Sequence, residues 1–140
     1  MPNPPRNTPA DSAPRVILVG HCGPDSFLLR GAVSRALPGA IIQSADDQAT
    51  LARLMGPDAL LLINRVLESG FDTESGIDLI RSIAQSRSGV RMMLISNYPD
   101  AQRQAEQAGA YPGFGKRDVY SDETFARLRQ AATGEPIRAT

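Results

Sequence analysis

Polar residues that could do chemistry stand directly after four apolar runs of the chain. In chain order these residues are Gly20, His21 and Cys22, then Asn64, Ser96 and Lys116. Lysine and serine contact anions, histidine titrates near neutral pH, and an ionised thiol is a nucleophile. None of these positions carries a carboxylate, so they supply neither the usual ligands of Mg²⁺ nor a carboxylate nucleophile.

Each of these residues also has a structural interpretation. Lys116 is either a lysine with a buried stem or an anion-binding group, since the sequence requires no acid beside it. Ser96 is expected to satisfy a backbone group at a strand end. His21 is expected to be half-exposed, with a pH-sensing or signalling role as the alternative. Cys22 precedes a helix start, but the sequence holds no second cysteine to resolve an oxidised thiol.

Composition and charge narrow the classes of partner. The 140 residues include 15 Lys or Arg and 15 Asp or Glu, so the formal net charge is zero. This balance argues against nucleic acid and anionic membranes as partners. No apolar run approaches the roughly 20 residues that span a bilayer. One histidine and one cysteine cannot form a structural zinc site, and we expect no metal, no cofactor and a cytoplasmic location.

The two ends of the chain differ in composition from the middle. Residues 1–14 are rich in Pro, Asn, Ser and Thr and hold little to bury, which predicts a disordered leader. Residues 133–140 contain Gly134 and Pro136 and lose the preceding helical pattern, which predicts a tail. One folded domain is therefore expected over 15–132.

Within the domain, short apolar runs alternate with segments of helical spacing. The predicted strands are 16–19, 40–42, 59–63, 90–95 and 111–115, and the run at 59–63 is apolar throughout, which is typical of a central parallel strand. The first helix is predicted to begin at Asp25 or Ser26, and the second at a capping box of Ser44 and Asp47. Three more helices are predicted from 75, from 99 and from 121.

This alternation predicts an α/β fold with a doubly wound, five-stranded parallel sheet in the order 2-1-3-4-5. The first and fifth helices should cover one face, and the second, third and fourth helices the other. In such a sheet a functional site lies at the carboxyl ends of strands one and three, where the order reverses. The polar residues that follow the strands should therefore meet there.

Several sequence fragments occur together in the order and spacing of a known family. They are Gly-Pro-Asp at 56–58, Gly-Ile-Asp-Leu-Ile-Arg at 76–81, Leu-Ile-Ser at 94–96, Gln-Ala-Gly-Ala at 107–110 and Gly-Lys at 115–116. With these fragments the chain resembles the receiver domain of two-component response regulators. The resemblance implies a flavodoxin-like fold. It also implies phosphoryl transfer from a partner histidine to an aspartate that ends strand three, with Mg²⁺ held by acids that end strand one.

The resemblance carries over only half of that phosphorylation site. Ser96 and Lys116 match the family's phosphoryl-contacting residues. Gly20, His21 and Cys22 stand where the family has its acidic pair, and Asn64 stands at the acceptor position, or Ile63 if the register is one residue shorter. An amide is a poor nucleophile. We therefore expect a degenerate, atypical receiver that is not an enzyme and acts in signal transduction by protein–protein contact, independently of phosphorylation.

Two alternatives remain open at the level of sequence. About four extra residues before the third helix place Glu68, Asp72 and Glu74 near the site, so displaced acids such as Asp25 or Asp72 could restore a phosphoacceptor. The other alternative is a small-ligand or anion sensor in the crevice between strands one and three, with His21, Ser96 and Lys116 as its polar contacts. A cluster of carboxylates near Asn64 would favour the first, and a deep pocket the second.

The surface of predicted helix four, strand five and helix five is the expected partner face. Five of the seven aromatic residues fall there, namely Tyr98, Tyr111, Phe114, Tyr120 and Phe125. Tyr98 and Tyr120 are expected at the surface, and Phe114 and Phe125 in the core. Receivers use this face for dimerisation and output, so the expected partner is a signalling protein (a kinase, a regulator or an output protein) or a second copy. The alanine-lined fourth helix should bury little and move easily.

Overall fold

The computed structural model describes residues 13–87 and 89–134, so most of the predicted leader and residues 135–140 of the predicted tail lie outside the described residues. The strands are β1 (Arg15–Val19), β2 (Ile41–Ala45), β3 (Ala59–Asn64), β4 (Arg91–Ile95) and β5 (Tyr111–Phe114). The helices are α1 (Gly23–Ala36), α2 (Gln48–Leu54), α3 (Gly76–Ser86), α4 (Pro99–Gln107) and α5 (Asp122–Thr133). A short 3-10 turn, Lys116–Asp118, lies between β5 and α5.

The five strands form one parallel sheet in the order β2-β1-β3-β4-β5, which confirms the predicted topology. The register sets which strand ends meet. Val19 lies opposite Ile63, and Asn64 lies opposite Ile95. Gly20, Asn64 and Ser96 therefore share the carboxyl edge of the sheet.

A hydrophobic core lies on each face of the sheet, and strand β3 contributes to both. Leu60 and Leu62 pack with α1 and α5, whereas Leu61 and Ile63 pack with α2, α3 and α4. This is the predicted distribution of helices. Burial of apolar side chains on both faces of a strand requires helices on both sides, which is why the run at 59–63 identified the central strand.

Two predicted helix starts are wrong. Helix α1 begins at Gly23, with Cys22 rather than Asp25 or Ser26 at the N-cap position. Pro24 favours the earlier start, because its fixed φ and missing N–H suit the first helical turn. The capping box of Ser44 and Asp47 is also absent, since Ser44 lies inside β2. Asp47 caps α2 alone by accepting a hydrogen bond from the Thr50 N–H at 2.7 Å.

The last two helices follow the sequence prediction more closely. Helix α4 buries two alanines, Ala101 and Ala105, and ends before Gly109, whose φ of +118° suits glycine. Helix α5 starts after Ser121, whose hydroxyl accepts from the Thr124 N–H. The 3-10 turn before α5 was not predicted. Within the described ranges, no helix is both long enough and apolar enough to cross a membrane.

Candidate functional site

Asn64 ends β3, where the family resemblance would place the acceptor aspartate. Its Nδ2 donates to the carbonyl oxygens of Gly20 at 3.1 Å and Val66 at 3.0 Å. Its Oδ1 accepts from the Arg65 N–H at 3.1 Å. The alternative at Ile63 does not apply, because that side chain is fully buried in the core. The amide at the end of β3 is thus fully engaged with backbone.

Gly20 follows β1 in a left-handed conformation, with φ of +77°. A Cβ on this residue would lie 2.6 Å from Cδ2 of Leu67 and 3.6 Å from Cε2 of Phe71. Leu67 is buried, at 2% exposure, and packs in the core beneath α2 and α3. An apolar side chain therefore occupies the space into which an acid at position 20 would project.

Leu67 lies in the loop between β3 and α3. By the family resemblance, this loop has about four residues more than the corresponding loop of receivers. It closes on itself through hydrogen bonds from the Leu67 N–H to Glu74 O at 2.9 Å and from the Gly76 N–H to Arg65 O at 2.7 Å. Its tip is tied to α2, because the Gln48 N–H donates to Gly70 O at 2.7 Å. The acids Glu68, Asp72 and Glu74 all stay exposed.

His21 is buried, at 7% exposure, so the expectation of a half-exposed residue is wrong. Its Nε2 lies 2.9 Å from the carbonyl oxygen of Leu62. A carbonyl can only accept, so the neutral ring carries its proton on Nε2 and leaves a lone pair on Nδ1. Among the described residues Nδ1 has no partner. Burial, aided by the positive charge of Lys116, lowers the pKa of His21 to about 4, although the Leu62 hydrogen bond opposes the shift.

Lys116 is not free, because its Nζ lies 2.6 Å from Oδ2 of Asp25. The sequence did not indicate which acid, if any, would lie beside this lysine, and the structure places Asp25 there. The contact arises because α1 starts at Gly23, which places Asp25 in its first turn, facing the carboxyl end of β5. The hydrogen bond from Lys116 is the main reason why the pKa of Asp25 is lowered. Both side chains are about 30% exposed, so the pair is partly screened by solvent.

Ser96 and Asn97 hold the loop that follows β4. The Ser96 hydroxyl accepts from the Tyr98 N–H at 3.1 Å, so it satisfies a backbone group as the sequence predicts for a strand-end serine. Asn97, which the sequence reasoning did not single out, accepts from the Arg117 N–H at 3.1 Å and so joins the ends of β4 and β5. Cys22 is exposed at the start of α1.

The Mg²⁺ site that the family resemblance implies does not fit these residues. A crevice of about 500 Å³ opens over the ends of β1 and β3 and is bordered by Asp25, Asp46 and Glu68. Over 13–87 and 89–134, however, no three His, Cys, Asp or Glu side chains converge closely enough to hold a metal ion. Asp25 is also committed to Lys116. No step of a mechanism can therefore be assigned to a metal at this edge.

The two tyrosines of the expected partner face contact different parts of the structure. Tyr98 is 58% exposed at the start of α4, with the Arg65 guanidinium 4.7 Å from its ring centroid. We call Tyr98, Arg65 and the exposed Val66 the Tyr98 surface. Tyr120 instead packs on α1, where its hydroxyl donates to Leu28 O at 3.2 Å. Tyr120 is still 41% exposed, so both tyrosines reach the surface as the sequence predicts.

Comparison with known proteins identifies the fold. No protein-family model matches the sequence, and no curated protein matches it significantly. Solved structures do match. NtrX from Brucella abortus has a TM-score of 0.68 and 20% identity over 87% of this chain and 27% of that one. RcsB from Salmonella typhimurium has a TM-score of 0.70 and 17% identity over 91% of this chain and 64% of that one.

The non-phosphorylated receiver domain of RcsB from Escherichia coli matches at nearly full length. The TM-score is 0.69 and the identity 16%, over 91% of this chain and 99% of that domain. By contrast, this chain spans about a quarter of the length of NtrX and under two thirds of Salmonella RcsB. The chain therefore has the fold of response-regulator receiver domains, as the sequence predicts.

Proposed function

We propose that this chain, which has the receiver-domain fold, is a cytoplasmic signalling module that acts by protein–protein contact and does not need phosphorylation. Its partner would be another signalling protein (a kinase, a regulator or an output protein) or a second copy of the chain. In this proposal the module performs no catalysis and uses no cofactor. Its output depends on which partner it binds and not on a phosphoryl group.

The observation that carries the proposal is the state of Asn64. Phosphorylation needs an ionised oxygen at the end of β3, and the residue there is a neutral amide whose nitrogen and oxygen both bond to backbone. The neighbouring position over β1 is covered by Leu67. An amide held by structural contacts therefore replaces the nucleophile, and an acid at position 20 would have to displace Leu67.

The arrangement of charges disfavours both alternatives, the phosphoacceptor that uses displaced acids and the small-ligand or anion sensor. Asp25, one of the displaced acids that could have served as a phosphoacceptor, is ion-paired with Lys116, and the other, Asp72, is exposed on the loop. The anion sensor needs Lys116 as a free cation, but the carboxylate of Asp25 already neutralises its charge at 2.6 Å. Contact with a protein partner requires neither group to change.

We expect acetyl phosphate or beryllium fluoride, each with Mg²⁺, to leave the protein unmodified. Asn64 offers no nucleophile, and the acids around it do not converge on a metal. Intact-mass spectrometry after acetyl phosphate treatment should show no added phosphoryl group, and the amide NMR spectrum should not shift with beryllium fluoride. A receiver that has the acceptor aspartate serves as the positive control. A stoichiometric, acid-labile adduct on this chain would refute the proposal.

Replacing Tyr98 by alanine should weaken partner binding at least about tenfold while barely changing the melting temperature. Exposed aromatics are often binding hot spots, whereas the loss of one exposed contact with Arg65 costs only about 0.5 kcal/mol. The partner would come from a binding screen against the products of neighbouring genes, and calorimetry would give its affinity.

Phe27→Ala is the matched control, since Phe27 is an aromatic residue 76% exposed on α1, away from the Tyr98 surface. It should leave the affinity unchanged. Tyr120→Ala is unsuitable, because loss of the Leu28 hydrogen bond would change stability as well. If the partner binds the Tyr98→Ala variant at wild-type affinity but binds the Phe27→Ala variant more weakly, the interface is on α1 instead.

A further inference from the structure

The inner edge of β5 lies unusually close to β4. Met93 pairs with Tyr111, but Ile95 pairs with Phe114, so β5 has one residue more than β4 between these pairs. This is a bulge, and a bulge leaves backbone groups of both strands without partners in the ladder. A Cβ at Gly113, inside the bulge, would overlap the carbonyl oxygen of Leu94. Position 113 therefore cannot carry a side chain while the strands stay in place.

The side chain of Gln102 fills this gap from α4. Its Nε2 donates to the carbonyl oxygens of Leu94 and Ser96, both at 3.0 Å. Its Oε1 accepts from the Gly113 N–H at 3.2 Å. One primary amide thus supplies both donors and an acceptor to three backbone groups around the bulge. The two sides of the amide are distinguished by these partners, since carbonyls accept and the N–H donates.

Helix α4 buries few side chains against the sheet. Its buried side chains are Ala101 and Ala105, and each methyl group adds only a small apolar area. The Gln102 contacts are partly buried, where an unpaired carbonyl or N–H is unfavourable. The position of α4, and of Tyr98 at its start, therefore depends more on this amide than on apolar packing.

We propose that Gln102 is a latch that fixes α4 in one position and so keeps the Tyr98 surface in a constant, binding-ready arrangement. The use of that surface rests on the proposed function, whereas the latch itself is a property of the free chain. Here the amide holds the helix to both strands, and no signal at Asn64 is required to place it.

The test is amide hydrogen exchange on the free protein, which does not depend on any partner or on phosphorylation. Gln102→Glu replaces both N–H donors by a carboxylate oxygen that faces Leu94 O and Ser96 O. Exchange of the α4 amides should rise about tenfold or more, while exchange in α1 stays within about twofold. Gln104→Glu is the matched control, because it makes the same change at an exposed position of the same helix.

A second variant covers the case in which the buried carboxylate prevents folding. Gln102→Met keeps the length and helix propensity of the side chain but loses all its hydrogen bonds. It should also raise α4 exchange selectively. If α4 exchange is unchanged in the folded variants, or if exchange rises equally in α1 and α4, the latch is refuted. Neither exchange result bears on the separate proposal that Asn64 is not phosphorylated.

Discussion

Gly76→Ala should lower the free energy of unfolding by about 3 kcal/mol. A Cβ at this position would overlap the carbonyl oxygen of Asn64 and lie 3.2 Å from Cα of Arg65. Both neighbours are backbone, so neither can rotate away. The first residue of α3 therefore has to be glycine for the helix to approach the end of β3. Urea unfolding followed by circular dichroism would measure the loss.

Gly23→Ala is the matched control for this substitution. Gly23 is likewise the first residue of a helix, α1, but a Cβ there would meet nothing within 4 Å. The free energy of unfolding of this variant should change by no more than about 0.5 kcal/mol. A slight rise is also an expected result, because alanine lowers the conformational entropy of the unfolded chain. Equal losses in the two variants would show that the close approach at Asn64 does not constrain the site.

The buried imidazole of His21 should make the protein lose about 3 kcal/mol of stability as the pH falls from about 6.5 to about 4. Its pKa is about 4 in the folded state, chiefly because of burial, whereas the ordinary pKa of histidine is 6.5. The unfolded chain thus binds a proton first as the pH drops. The contribution is fully present above pH 6.5 and is lost through that window, with Lys116, Asp25 and Asp46 as the charged neighbours.

Two measurements isolate this effect. The sequence has one histidine, so an NMR titration of its ring reads the folded pKa without assignment. His21→Gln keeps an N–H that can reach Leu62 O and does not titrate, so its stability should be flat between pH 6.5 and 4.5. The carboxyls of Asp25, Asp47 and Asp58 have lowered pKa values. The stability that these carboxylates contribute is therefore lost at lower pH than that of His21. A ring that titrates near 6.5 would contradict the burial of His21.

Local patterns were sufficient to predict the fold. The alternation of apolar runs with helical spacing predicted five strands, five helices and their order, and the run at 59–63 identified the centre of the sheet. The fourth and fifth helices were located by local signals as well, such as the glycine at 109 and the serine at 121. These signals depend on a few neighbouring residues, which the sequence presents together.

Contacts between distant residues were not predictable in the same way. Asp25 and Lys116 are 91 positions apart, and their pairing depends on an exact helix start that Pro24 moved by two residues or more. Leu67 lies in a segment with no regular pattern, so nothing in the sequence indicated that it would cover Gly20. His21 is buried and bonded to Leu62 O, a backbone atom that no side-chain pattern in the sequence reveals.

The side chains around the bulge also limit how two copies of the chain could associate. β5 is an edge of the sheet, yet Pro112 has no N–H to offer another strand, and Gly113 O accepts from Arg127. An edge whose backbone groups are already occupied is a poor template for another strand, and natural proteins resist amyloid-like growth by such means. A second copy at this edge would have to bind through side chains and not by extending the sheet.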